Sequence, residues 1–205
     1  MSWEPTELQD RARIERTVAA LEERGVHTIL VGDRQAALAG VLELLPPGAS
    51  IAHGSSTTLR QIGLVDHLGR PDSGYRYLNA EWQAQDDPAR RARLRAALSV
   101  ESDYFLGSVQ AICETGQVVS VDATGSRSAF YVYGPPHVIW VAGINKLVPT
   151  LDDALHRVRE VAFSLEDQRM RQTVGIGSSI GKLVIYERER PGRITLILVG
   201  EPLGF

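Results

Sequence analysis

The sequence predicts an α/β fold, a mostly parallel sheet covered by helices, and three observations carry that prediction. Short apolar segments alternate with amphipathic ones over about three quarters of the chain, the pattern of strands joined by helical crossovers. "HVIWVAG" (137–143) is an almost unbroken apolar run ending in glycine, as expected of a strand buried on both faces. "KLVIYERERPGRITLILVG" (182–200) reads as two strands joined by a Pro-Gly turn, a C-terminal β-hairpin at a mixed edge of the sheet.

The elements follow in order. Residues 4–24 read as a helix, with Pro5 in its first turn and a rough stripe of Leu8, Ala12, Ile14, Val18 and Leu21; Gly25 ends it. "VHTILV" (26–31) reads as a strand. Asp33 caps a helix running to Leu45, and "PPG" stops it. "ASIAH" (49–53) is a second strand, and a helix is expected from about Thr57. "GYRYL" (74–78) reads as a strand, and Asp87-Pro88 opens a helix to Leu98. "DYFLGSVQAIC" (103–113) and "QVVSVD" (117–122) read as strands joined by the turn "ETG", while "AFYVYG" (129–134) is ambiguous. "TLDDALHRVREVAF" (150–163) is an amphipathic helix with Leu151, Leu155, Val158 and Ala162 on one side. No repeat or long linker interrupts the chain, so one domain spanning 1–205 is expected, with helix 1–24 packed upon it.

Bulk properties exclude several classes. The 205 residues are 43% hydrophobic and 23% charged with a formal net charge of -3, so no basic field invites nucleic acid. The one basic cluster, Arg90 to Arg95, reads as the solvated face of a helix. A single cysteine, Cys113, lies in the apolar run "VQAIC" and reads as a buried thiol; it excludes a disulfide framework or a multi-cysteine zinc site within one chain. The five histidines show no paired metal spacing, and no metal is expected. The charged N-terminus lacks the apolar core of a signal peptide, no stretch approaches a membrane span, and the expected location is the cytoplasm.

Candidate site residues cluster at strand ends, where sheets of this class bind ligands. "GSSTT" follows a strand and opens a helix. Gly54, Ser55, Ser56 and Thr57 offer backbone N–H groups and hydroxyls either to a phosphate or carboxylate, or simply to the helix start as a cap. "VDATGSR" supplies Asp122, Gly125 and Arg127, and "VAGINK" supplies Gly143, Asn145 and Lys146. Glu114 stands at the "ETG" turn. Together these groups suit a small anionic molecule. "GIGSSIGK" (175–182) is one residue too long for a dinucleotide fingerprint, and it carries Leu183 where a phosphate-binding loop needs Ser or Thr, so it reads as a structural loop. No cofactor motif is complete.

The strings "ETGQVVSVDATGSR", "VIWVAGINKLVPTLDDALHRVREVA" and "RITLILVGEPLGF", with "GSSTTLRQIGL" upstream, resemble the LUD (lactate utilisation) domain, formerly DUF162, of the LutC/YkgG family. The resemblance spans about Leu21 to Phe205. It implies the Rossmann-like domain of the NagB/RpiA/CoA-transferase-like superfamily, whose distant relatives bind phosphate or carboxylate at a glycine-hydroxyl loop matching residues 54–57. CoA transferases of that superfamily use the glutamate of an E-x-G turn as nucleophile, to which Glu114-Thr115-Gly116 is similar, so CoA or a phosphate-bearing ligand is implied. The family also implies a role in L-lactate oxidation beside iron–sulfur partner subunits. Many members carry a cysteine cluster before the final strands; "MRQTVGIGSSIGKLVIYE" (170–187) holds none, so chemistry tied to that cluster is not expected here.

Three functions therefore stand open: an accessory protein binding a small anion or a partner subunit; an enzyme of CoA-transferase-like or sugar-phosphate/folate-type chemistry using Glu114 as nucleophile or base, with Arg127 and Lys146 neutralising its substrate; and a non-catalytic scaffold whose crevice is empty and whose helices, the N-terminal stripe among them, form a subunit interface in a homo-oligomer.

Overall fold

The computed structural model describes residues 11–205. Helix α1 (Arg11–Glu23) ends at Gly25, whose φ of 85° lets the chain reverse into β1 (Val26–Val31). Pro5 and Leu8 of the expected first turns lie outside the described residues. Ile14, Val18 and Leu21 pack on the protein's own core, so this part of the stripe serves the chain itself. Asp33 caps α2 (Arg34–Leu44) by accepting from the N–H groups of Gln35 and Ala36, each at 2.9 Å. β2 (Ser50–His53) follows, then two short helices, α3 (Thr57–Gln61) and α4 (Leu64–Leu68).

The expected strand at 74–78 shrinks to β3 (Arg76–Tyr77), because α5 (Leu78–Gln83) starts at once. Asp87 caps α6 (Pro88–Glu101). The long strand expected over 103–113 is two strands, β4 (Tyr104–Gly107) and β5 (Ala111–Cys113), which belong to different sheets. β6 (Val118–Asp122) precedes α7 (Ser128–Val132), which settles the ambiguous "AFYVYG" segment as helix. After β7 (His137–Gly143) a 3₁₀ turn (Ile144–Lys146) leads into β8 (Leu147–Val148). A capping box between Thr150 and Asp153 starts α8 (Leu151–Arg157); the helix then widens to a π turn (Val158–Ala162) and continues as α9 (Phe163–Val174), well past the expected end. β9 (Lys182–Tyr186) and β10 (Ile194–Val199) close the described order.

Six strands form one parallel sheet in the order β1-β10-β7-β4-β2-β3, and four form a smaller sheet, β8-β5-β6-β9. The expected C-terminal hairpin is therefore corrected. β10 inserts in parallel between β1 and β7, while β9 pairs antiparallel with β6 from Val118↔Tyr186 to Asp122↔Lys182. The physical reason lies in burial: every β10 residue except Thr195 is buried, which only a central strand covered on both faces provides, whereas β9 is largely open to solvent. Pro191-Gly192 does turn the chain, but inside a connector between sheets. The apolar segments thus give a Rossmann-like α/β sheet flanked by helices, as predicted, with a second small sheet at one end.

Trp140 on β7 is fully buried and meets Tyr131 and Tyr186 edge-on at 5.6 and 5.0 Å. Tyr131 lies so close to Gly107 that a Cβ there would overlap its hydroxyl and stand 2.7 Å from Cζ. Gly107 is thus required by close approach of a side chain. Gly107→Ala is expected to lower unfolding free energy by at least about 1–3 kcal/mol, the range for overpacking a core, as read from urea denaturation; an unchanged midpoint would show that Tyr131 relocates freely.

Candidate functional site

The chain leaves β2 toward β3 on one side and leaves β4 toward β7 on the other, which makes the crevice between β2 and β4 the switch point of the sheet. A cleft of about 290 Å³ lies there, beyond the carboxyl ends of the strands. Ser55 to Thr58 enter it after β2, Ser108 and Gln110 after β4, and Lys146 after β7. The small sheet contributes Val121 and Asp122, and α9 with residues 178–180 forms the facing wall.

Lys146 is 1% exposed. The most apolar strand carries it inward, and the 3₁₀ turn directs it across the strand ends. Its amine donates to Ser108 Oγ at 2.7 Å and to Thr58 Oγ1 at 3.1 Å. Ser108 in turn donates its hydroxyl proton to the Val141 carbonyl at 2.6 Å, which leaves only acceptor capacity toward the amine. Burial holds the amine well below its ordinary pKa, and the charges of Arg157 and Arg127 push the same way. Among the described residues no carboxylate forms an ion pair with it.

Arg127 lies flat against Gly54, where a Cβ would stand 2.7 Å from its Cδ; Gly54 thus makes room for the arginine. The guanidinium donates to the carbonyls of Val121 and, at 3.3 Å, Ser55, while its Nε is buried with no hydrogen-bond partner among the described residues. Asp122 accepts from the backbone N–H groups of Thr124 and Gly125 at 3.0 Å, Arg127 at 2.8 Å and Ser128 at 3.2 Å. Burial alone would raise its pKa, but these bonds and the Arg127 charge outweigh it and keep the carboxyl ionised below its usual range. Asp122 thus shapes the loop, and Gly125, with φ 90°, supplies its turn. Ser56 proves to be the helix cap, accepting from Leu59 N at 3.2 Å, whereas Ser55 and Thr57 remain on the cleft wall.

The structure adds residues that the sequence pattern did not single out. Arg95 is not part of a solvated face: it is partly buried at the cleft, with its pKa lowered by burial, and among the described residues it makes no hydrogen bond or ion pair. Its position one turn before buried Leu98 was the available signal. Ser108 sits just past a strand end but was hidden in an apolar stretch read as continuous. Arg169 also lines the cleft, tied to Glu166 by two bonds of 2.7 Å. The "GIGSSIGK" segment, read as structural, places Ser178, Ser179 and Ile180 on the wall, with Ser178 N anchored on Asp167 at 2.7 Å.

Three candidates fall elsewhere. Glu114 pairs with Arg13 of α1, and its own N–H donates to Val148 O at 2.9 Å. The β5–β6 turn that carries it is at the opposite end of β6 from Asp122, roughly 13 Å along the strand at 3.3 Å per residue. Asn145 clamps the C-terminal segment, donating to Gly204 O at 3.2 Å and accepting from Leu203 N at 3.0 Å. Gly143 lets that segment approach, since a Cβ would collide with Leu203 N and Glu201 O. Cys113 is fully buried and its thiol is pushed up to about 11, chiefly by burial. Among the described residues no group of three His, Cys, Asp or Glu is placed to hold a metal ion, and no helix is long and apolar enough to cross a membrane.

A family model for the LUD domain matches residues 14–199, so the chain belongs to the LUD-domain family. Its fold is similar to that of a crystal structure titled as a DUF162 family protein from Deinococcus radiodurans, with a TM-score of 0.52 and 13% identity over 97% of this chain and 100% of that one. A comparison with curated proteins found no match.

Lys146 gives a signed pH dependence. In the unfolded chain the amine keeps its proton up to about pH 10.4; in the folded chain it releases it at lower pH. Between the two values unfolding takes up a proton, so stability rises with pH. The stability of the native protein minus that of Lys146→Met is expected to climb toward pH 10 by up to about 1.4 kcal/mol per unit, as measured by urea unfolding at several pH values. A difference that stays flat would place the amine at its ordinary pKa.

Proposed function

We propose that the cleft binds a small anionic ligand, and that the protein serves as an accessory in L-lactate or related organic-acid utilisation beside subunits that carry the iron–sulfur chemistry. The charge balance of the cleft is the observation that supports this reading. Among the lining side chains Arg95, Arg127 and Arg169 stand against Asp122 and Glu166, which leaves one positive side-chain charge, and a second whenever Lys146 is protonated. Both acids are already committed, Asp122 to four backbone N–H groups and Glu166 to Arg169. Among the described residues Arg95 is the uncommitted cation of the cleft lining. The hydroxyls of Ser55, Thr57 and Ser179 add polar groups without charge.

Volume narrows the ligand. At about 290 Å³ the cleft stands at the small end of ligand sites, which run from roughly 300 to 1,000 Å³. That suits a short carboxylate or a phosphate-bearing group. A whole CoA would have to lie mostly outside, with only its acyl or phosphate end enclosed. The alternative enzyme that uses Glu114 as nucleophile is not favoured, since that carboxylate is held by Arg13 at the far end of β6.

A thermal-shift series with inorganic phosphate, L-lactate, pyruvate and CoA tests the reading. A ligand at a hundred times its Kd adds about 2.7 kcal/mol of stability. Arg95→Ala is expected to weaken binding about 10- to 100-fold, the worth of a hydrogen bond to a charged group, while the unliganded protein keeps its fold, because this guanidinium makes no hydrogen bond or ion pair among the described residues. Glu114→Gln is expected to bind as the native protein does. Absence of any shift across the series, or equal binding by Arg95→Ala, contradicts the proposal.

A further inference from the structure

The chain has 22 lysines and arginines, and only two are lysines, Lys146 and Lys182. Lys182 is exposed on β9. The cleft's other cations are all arginine, which stays protonated in proteins. At its floor, by contrast, stands the one side chain of the set that can shed its proton and become a nucleophile. Its neighbours suit the neutral form. Ser108 and Thr58 accept both N–H groups of a neutral amine, and the lone pair is then uncommitted. Gly204 packs close to Thr58 and the amine, since a Cβ there would collide with Thr58 Oγ1 and stand 3.3 Å from Nζ.

We propose that Lys146 is a nucleophilic amine that condenses with the carbonyl carbon of a small anionic carbonyl compound, a 2-oxo acid in the simplest case, seated in the cleft. The inference rests on the anion-binding reading, because the arginines are needed to bring a charged carbonyl compound to the floor. The lone pair of Nζ forms the new C–N bond while the carbonyl π electrons move to oxygen. The nitrogen's two hydrogens then leave with that oxygen as water as the C=N bond closes. Amine and carbonyl give imine and water, with no oxidant or reductant. A carboxylate next to the carbonyl would lie toward Arg127 and Arg95, which line the same cleft. Low accessibility would keep the amine from reacting with bulky carbonyls, and the arginines would favour charged ones.

Pyruvate with sodium borohydride tests this on the full native chain. Reduction would fix the imine as a secondary amine, with a mass gain of one pyruvate less one water plus two hydrogens, and peptide mapping would locate it. Lys182, exposed on β9 and not part of the cleft lining, serves as the internal control. The expected result is adduct on Lys146 in large excess over Lys182, reduced in Arg95→Ala. Pyruvate binding in the thermal-shift series without adduct on Lys146 would overturn the nucleophile and leave the anion site standing. Equal labelling of the two lysines would overturn it as non-specific chemistry. Neither binding nor adduct would overturn the inference together with a 2-oxo acid as the cleft's ligand.

Discussion

Burying a lysine amine among hydroxyls, with no ion-paired carboxylate among the described residues, sets the terms at the strand ends. Desolvating an ammonium is costly unless it is paired, and the group responds by giving up its proton. Here the surroundings reinforce that response: Arg157, 4% exposed, donates to the carbonyls of Asn145 and Gln110, and Arg127 flanks the cleft. Three segments are tied to the amine, since Thr58 follows β2, Ser108 follows β4 and Lys146 itself follows β7. The floor is therefore held by polar contacts between loops that the parallel sheet brings to one edge.

The rest of the architecture keeps that floor in place. β7 lies between β4 and β10 in the parallel sheet, so its register relative to β4 fixes how Lys146 meets Ser108. The Ser108 hydroxyl, held by Val141 O, cannot rotate to donate to the amine without losing that bond. Tyr131 adds a second constraint by donating to Ser108 O at 3.1 Å. On the outer side the small sheet and α9 narrow the opening, and the π turn sets Ala162 and Phe163 against the cleft. Asn145 and Gln61 hold residues 203–204 across the same edge.

Much of this was legible in the sequence, for local reasons. "HVIWVAG" announced a doubly buried strand, and the polar groups after it had to emerge at a strand end, so the apolar pattern alone was enough to place Lys146 there. Asp122 and Arg127 followed from the same rule. What failed was non-local. The Pro-Gly turn signalled a reversal correctly, yet which strands then pair is decided by burial across the sheet, and β9 and β10 separated. Ser108 was hidden because "DYFLGSVQAIC" carries apolar residues on both sides of the point where the chain changes sheets. Arg95 was masked by its arginine neighbours, which are exposed while it turns inward. Glu114 was credited to the site from the form of its turn, but the direction of β6 carries that turn away.

The most direct test of the account is the titration of the two lysines by NMR on protein carrying labelled lysine side chains. Only two signals arise, and Lys182→Arg assigns them. Lys146 is expected to titrate well below about 10.4, the ordinary lysine value, and to respond to an added anionic ligand. A Lys146 signal that titrates near the ordinary value would contradict the account, because the strand ends would then enclose an ammonium that the cleft does not neutralise.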